Sequence, residues 1–259
     1  METQIQQKSS NDIVAAQDIA AWGGQTLTSN DILIGKILPL QFMSEKVKNK
    51  QGEYGDFRDT VTNKKFGDLK TPFEFIPFYM EKKWIEFDII TNKAGARKRE
   101  FKQIIPVIDN PTKPGFNDDL PYVDEGANVE RDRVMDFYVL IPEEIKQGDA
   151  LPYILSFRRT SLKAGKKLAM QMYTRNMQKG CPPPAVTMLL SGESKQNDDG
   201  EFVVQDVSSS RQTTAEEMSV AFKWFKVVSA GHAKVDESDY KEEAQRKTSG
   251  RVNVEEGDY

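Results

Sequence analysis

The sequence predicts a mainly β protein with helices, an α+β chain of about eight short strands and two late helices, consistent with a small Greek-key barrel carrying decorations. Three observations predict it. Short runs of alternating apolar and polar residues recur between Ile32 and Val207. Gly- and Pro-rich stretches punctuate those runs. Helical spacing with recognisable start and stop signals appears only after Thr160.

Residues 1–30 are rich in Gln, Ser and Asn and read as a flexible N-terminal segment. Ile32 to Met43 is the first strand candidate, and Lys46 to Lys70 a Gly-punctuated loop with a small hairpin. Thr71 to Thr91 is the most aromatic stretch and reads as two strands meeting near Glu81-Lys82-Lys83. In the second, Ile85, Phe87 and Ile89 share one face, while Trp84, Glu86 and Asp88 share the other. Phe101 to Ile108 follows as a strand, and Asp109 to Arg133 as a long surface loop. Met135 to Ile141 and Leu151 to Arg158 are strands, and Ala185 to Leu190 pairs with Glu201 to Val207 in a hairpin. The two helices run from Thr160 or Ser161 to about Lys179 and from Thr214 to Ala230. Thr214 and Glu217 form a capping box in the second, and Gly231 stops it. Residues 31–232 thus form one domain, and 233–259 an acidic, disordered tail.

Composition narrows the chemistry. One Cys, Cys181, and one His, His232, exclude an intrachain disulfide and a Cys/His zinc site, so no cofactor is expected. Gly165-Lys166-Lys167 lacks the Gly and the Ser or Thr of a phosphate-binding loop. Asp118-Asp119 and Asp124-Glu125 are the only carboxylate pairs weighed for a Mg²⁺ site, and they lie in the Pro/Gly loop. No run spans a membrane, no signal peptide is read, and the expectation is a cytoplasmic protein. From Val235 to Tyr259 eight acids face four bases, and the remainder balances at 32 of each. The net charge of −4 therefore belongs to the tail.

Within that neutral body the bases are uneven. From Arg158 to Lys179 stand Arg158, Arg159, Lys163, Lys166, Lys167, Arg175 and Lys179, with no acid among them. Lys82, Lys83, Arg97 and Arg99 border the aromatic strands. Cations that follow phosphates, interleaved with rings on which bases stack, are what a single nucleic-acid strand requires. Trp84 and Tyr79 are the expected exposed stacking rings. The remaining aromatics are expected in the core.

Three stretches resemble a family of bacteriophage single-stranded-DNA-binding replication proteins. They are Ile37-Leu-Pro-Leu-Gln-Phe-Met-Ser44 with Gly55-Asp-Phe57, then Phe73 to Phe87, then Leu151 to Lys163. The resemblance implies an oligonucleotide-binding (OB) barrel, no enzymatic activity, and a role in phage replication and recombination in the host cytoplasm. It also implies an acidic end, here Glu255, Glu256, Asp258 and Tyr259, that contacts replication enzymes such as a polymerase, helicase or primase. Two other readings stand beside it. One is a phage assembly protein whose basic helix meets an acidic protein. The other is a Mg²⁺-dependent nuclease or annealing protein using Asp118 and Asp119.

Overall fold

The computed structural model describes residues 33–42, 44–91, 97–107, 120–180, 182–197, 200–231, 234–236 and 239–240. Its strands are β1 (Leu33–Ile34), β2 (Lys36–Pro39), β3 (Phe57–Asp59), β4 (Lys65–Gly67), β5 (Phe73–Thr91), β6 (Arg97–Pro106), β7 (Val123–Asp124), β8 (Val129–Leu140), β9 (Tyr153–Arg158), β10 (Val186–Asn197), β11 (Gly200–Gln212) and β12 (Lys234–Val235). Its helices are α1 (Glu45–Lys48), α2 (Pro142–Gln147), α3 (Leu162–Lys179) and α4 (Ala215–Ser229). The protein is mostly β sheet with a few helices, as the sequence predicts.

One sheet runs in the order β11-β10-β5-β8-β9-β2-β3-β4, with β6 beside the second half of β5 and β7 beside β8. β5 is its spine. The expected break near Lys82 does not occur, and one strand of 19 residues crosses the molecule. Pro77 is accommodated at a register shift between Pro77 and Tyr79, where a missing N–H costs no ladder bond. The expected loop up to Arg133 is also shorter, because β8 already begins at Val129.

The sheet curls without closing into a barrel by strand pairing. The β11 edge nevertheless approaches the segment between β2 and β3. The Val203 N–H of β11 donates to Gln41 Oε1 at 2.8 Å, and Gln41 Nε2 donates back to the Val203 carbonyl at 3.4 Å. Tyr54 Oη and Ser194 Oγ meet at 2.8 Å across the same gap.

Alternation sorts the side chains onto two faces. Phe73, Phe75, Met135, Phe137, Val139, Tyr153, Leu155 and Phe157 fill the concave inner face, under Leu162, Ala164 and Leu168 of α3. Ile76, Phe78, Tyr138, Leu140 and Ile154 lie on the outer face beneath Ala221 and Val228 of α4. The capping box of α4 is present, with Glu217 N–H donating to Thr214 Oγ1 at 3.2 Å and Thr214 N–H donating to Glu217 Oε2 at 2.8 Å. Gly231 follows at φ +74°.

Two features generate predictions. A Cβ on Gly165 would lie 2.7 Å from Phe157 Cβ, so only glycine lets α3 sit this close to β9. Gly165→Ala is expected to cost about 1–3 kcal/mol by overpacking, read as a lower urea midpoint. Arg211 bonds the Glu217 carboxylate at 2.7 and 2.9 Å and holds its pKa down, from 4.5 to about 2. That contribution is present above pH 4.5 and is lost as pH falls towards 2. Glu217→Gln should therefore flatten the decline of melting temperature across that window.

Candidate nucleic-acid interface

Helix α3 brings three lysines of the basic stretch, Lys163, Lys166 and Lys167, to the surface in one stripe. Leu162, Ala164, Gly165 and Leu168 are buried, which turns Lys163, Lys166 and Lys167 to solvent. The same stripe continues into Met170 and Tyr173, both largely exposed, at the spacing of one helix face. Lys167 Nζ lies 3.0 Å from Asp206 Oδ1 of β11. Ser161, expected as a helix cap, accepts from the Gln205 N–H at 3.1 Å and ties the helix start to β11.

The start of α3 covers the inner face near Met135, whose Cβ lies 3.5 Å from the Cβ position of Gly165. Met135 pairs with Lys82 of β5. Two residues further along, Arg133 pairs with Trp84 on that same face. Lys82 and Arg133 are half-buried there. The expected exposure of Trp84 is wrong: its ring is 1 % exposed. The alternation was read correctly, but residues 120–124 fold back over the polar side. The Arg131 N–H donates to the Tyr122 carbonyl at 2.6 Å, and β7 pairs with β8. The Tyr122 ring then meets the indole edge-on at 5.1 Å between centroids, with the Arg133 guanidinium 5.9 Å from the indole ring. Tyr122, 40 % exposed, is the ring that reaches solvent.

The other expected contacts separate. Lys83 is buried on the outer face, with Nζ 2.6 Å from Asp136. Arg99 is buried there too, bonded to Asp132 at 3.1 Å and stacked 3.9 Å from the Phe87 ring. Arg159, at φ +50°, donates through Nε to the same Asp132 at 3.0 Å. Arg158 is half-buried on the outer face. Tyr79 pairs with Tyr138 and packs edge-on against Phe225 of α4 at 5.9 Å, so it too lies on the outer side. These residues do not share one surface, because odd and even positions of β5 beyond the register shift at Pro77 and Tyr79 face opposite ways. Arg97 opens β6 opposite Thr91. Glu255, Glu256, Asp258 and Tyr259 lie outside the described residues, as do Asp118, Asp119, Cys181 and His232.

A second cluster was not foreseen. Lys36, Lys83 and Arg158, from β2, β5 and β9, surround one ring, that of Tyr240. Their cationic ends lie 3.4, 5.4 and 5.7 Å from its centroid. Tyr240 is 0 % exposed, although it falls in the segment expected to be disordered. Lys36 Nζ also meets Asp239 at 2.5 Å, and Asp136 accepts from Ser156 and Lys83 beneath. Burial pulls the Lys36 ammonium below its usual pKa against the attraction of Asp239 and Asp136, and the same burial raises Asp239. The chain reaches this point through β12, which pairs in parallel with β1.

Asp124 and Glu125, the second carboxylate pair, begin a short turn in which Asp124 accepts from the Ala127 N–H at 3.3 Å. Among the described residues no group of His, Cys, Asp or Glu is placed to hold a metal ion. No helix among them is long and apolar enough to cross a membrane.

The family described as Pam3 phage gp34-like protein matches residues 4–234. The chain belongs to that family. It is a phage protein. No curated protein matches it, and no solved structure does. The matching span ends just where β12 begins, short of Asp239 and Tyr240.

Because Trp84 is a core ring supporting Tyr122, Trp84→Ala is expected to cost about 3–5 kcal/mol of stability. Chemical denaturation checks this. A loss below about 1 kcal/mol would show an indole that packs loosely.

Proposed function

We propose that this phage protein binds single-stranded nucleic acid without sequence preference, with α3 as its main contact. The observation that carries the reading is the solvent stripe of α3: Lys163, Lys166 and Lys167, then Met170 and Tyr173, in a stretch without an acid. Lysines along a helix face neutralise successive phosphates, and an exposed tyrosine offers a base a stacking surface. Lys82, Arg133 and Tyr122 extend the surface along the inner face of the sheet. The curled sheet is read as an open relative of the OB barrel, with the helix laid across its mouth. Role assignment in replication or recombination follows only from the resemblance of Leu151 to Lys163 and its companion stretches.

Labelled oligo-dT binding, followed by anisotropy at several salt concentrations, tests this. The log–log slope should be about −0.7 per phosphate contacted. Lys163→Gln with Lys166→Gln should reduce the slope by about 1.4. Tyr173→Ala and Tyr122→Ala should each lose about 1–3 kcal/mol of affinity with little change in slope. A salt-independent or absent response would sink the reading and favour a protein partner for the same stripe.

A further inference from the structure

The cluster around Tyr240 is a pocket made for two consecutive side chains. A carboxylate meets the Lys36 ammonium at 2.5 Å, and the ring that follows lies under Lys36, Lys83 and Arg158. The occupants are Asp239 and Tyr240. The sequence holds Asp-Tyr at one other place, Asp258-Tyr259. The likeness extends further back: Glu237-Ser238-Asp239-Tyr240 recurs as Glu256-Gly257-Asp258-Tyr259, with a small residue second in both.

We propose that Asp258-Tyr259 of one copy docks in the Lys36–Lys83–Arg158 pocket of a second copy, replacing that copy's own Asp239-Tyr240. Each chain carries two such motifs and, among the described residues, one such pocket. The nearer motif fills the chain's own pocket, which leaves the other motif in surplus. Fifteen residues, 241–255, separate the two motifs. Extended, they reach about 50 Å. A body of this size has a radius of gyration of about 16–17 Å. The surplus motif therefore reaches a pocket on an abutting copy while its own chain keeps Tyr240 in place.

The chemistry is complementary. Two ammonium groups and a guanidinium from three strands surround the ring, and Lys83 is tied to Asp136 beneath. Without an incoming carboxylate and ring, Lys36 would be a buried cation lacking its partner, which is costly. An Asp-Tyr pair from either position restores the same ion pair and the same cation–π contacts. Exchange between copies conserves those contacts, as in a domain swap. Its extent is then set by the local concentration of the second copy. The inference concerns self-association and needs no nucleic acid.

The test places photoreactive benzoylphenylalanine at position 259 of the full chain. Light- and heavy-isotope protein are mixed and illuminated without nucleic acid. The expected products join position 259 of one isotope to peptides containing Lys36, Lys83 or Arg158 of the other. Asp258→Ala should cut their yield about tenfold, by loss of the charged hydrogen bond. Excess synthetic peptide 251–259 should suppress them likewise, and the same peptide with Asp258→Ala should not. Products confined to one isotope, products that map to other strands, or a yield indifferent to Asp258→Ala would each overturn the proposal. Since α3 is untouched, oligo-dT binding by the same protein fails or succeeds independently.

Discussion

Alternation along a single 19-residue strand, reversed once at the register shift between Pro77 and Tyr79, governs this molecule. β5 pairs with β10 in its first part, with β6 in its second and with β8 over most of its length. Each residue is thereby committed to a face. Lys82 and Trp84 belong to the side that α3 covers, whereas Glu81, Lys83, Ile85 and Phe87 belong to the side facing α4 and Tyr240. Two adjacent lysines therefore have unrelated environments. One is half-buried beside the basic helix, and its neighbour is locked onto Asp136.

Helix α3 depends on the same constraint from the other side. It can supply a basic surface only because its buried positions are small or apolar and its lysines fall between them. Gly165 is the point of closest approach, and Leu168 is sealed against the sheet. Burial of the apolar stripe thus determines which way the charges look. The outer cluster works by the opposite rule. Lys36 has no exposed surface at all. Its charge is compensated by residues brought from more than 200 positions away along the chain.

Much of this was legible in the residue pattern. The capping box at Thr214 and Glu217 and the hairpin preceding Gly200 follow from local chemistry, and both are present. The solvent stripe of α3 was visible as a run of bases, although Met170 and Tyr173 within it were passed over. What alternation cannot reveal is which polar face another segment will cover. Trp84 was assigned to the correct side of β5 and still buried, because Tyr122 arrives from a Pro- and Gly-rich stretch without periodicity. Tyr240 was missed for the same reason. It is a single aromatic in a charged segment, and it joins the apolar cluster of Ile85, Phe87 and Val134, stacked 6.3 Å from Phe101, with three cations around its ring.

The meeting of Gln41 with Val203 has a mechanical meaning. Elsewhere neighbouring strands are joined by backbone ladders, which yield only when the sheet unravels. Here a carboxamide mimics one rung, joining β11 to the chain just after β2, two segments that do not pair. The clasp itself contributes two hydrogen bonds, each worth about 1 kcal/mol net. Closure of the curl therefore rests on side chains, with Tyr54–Ser194 and the packing of Phe57 against Leu190, Val203 and Val207 beside the clasp, and on no ladder.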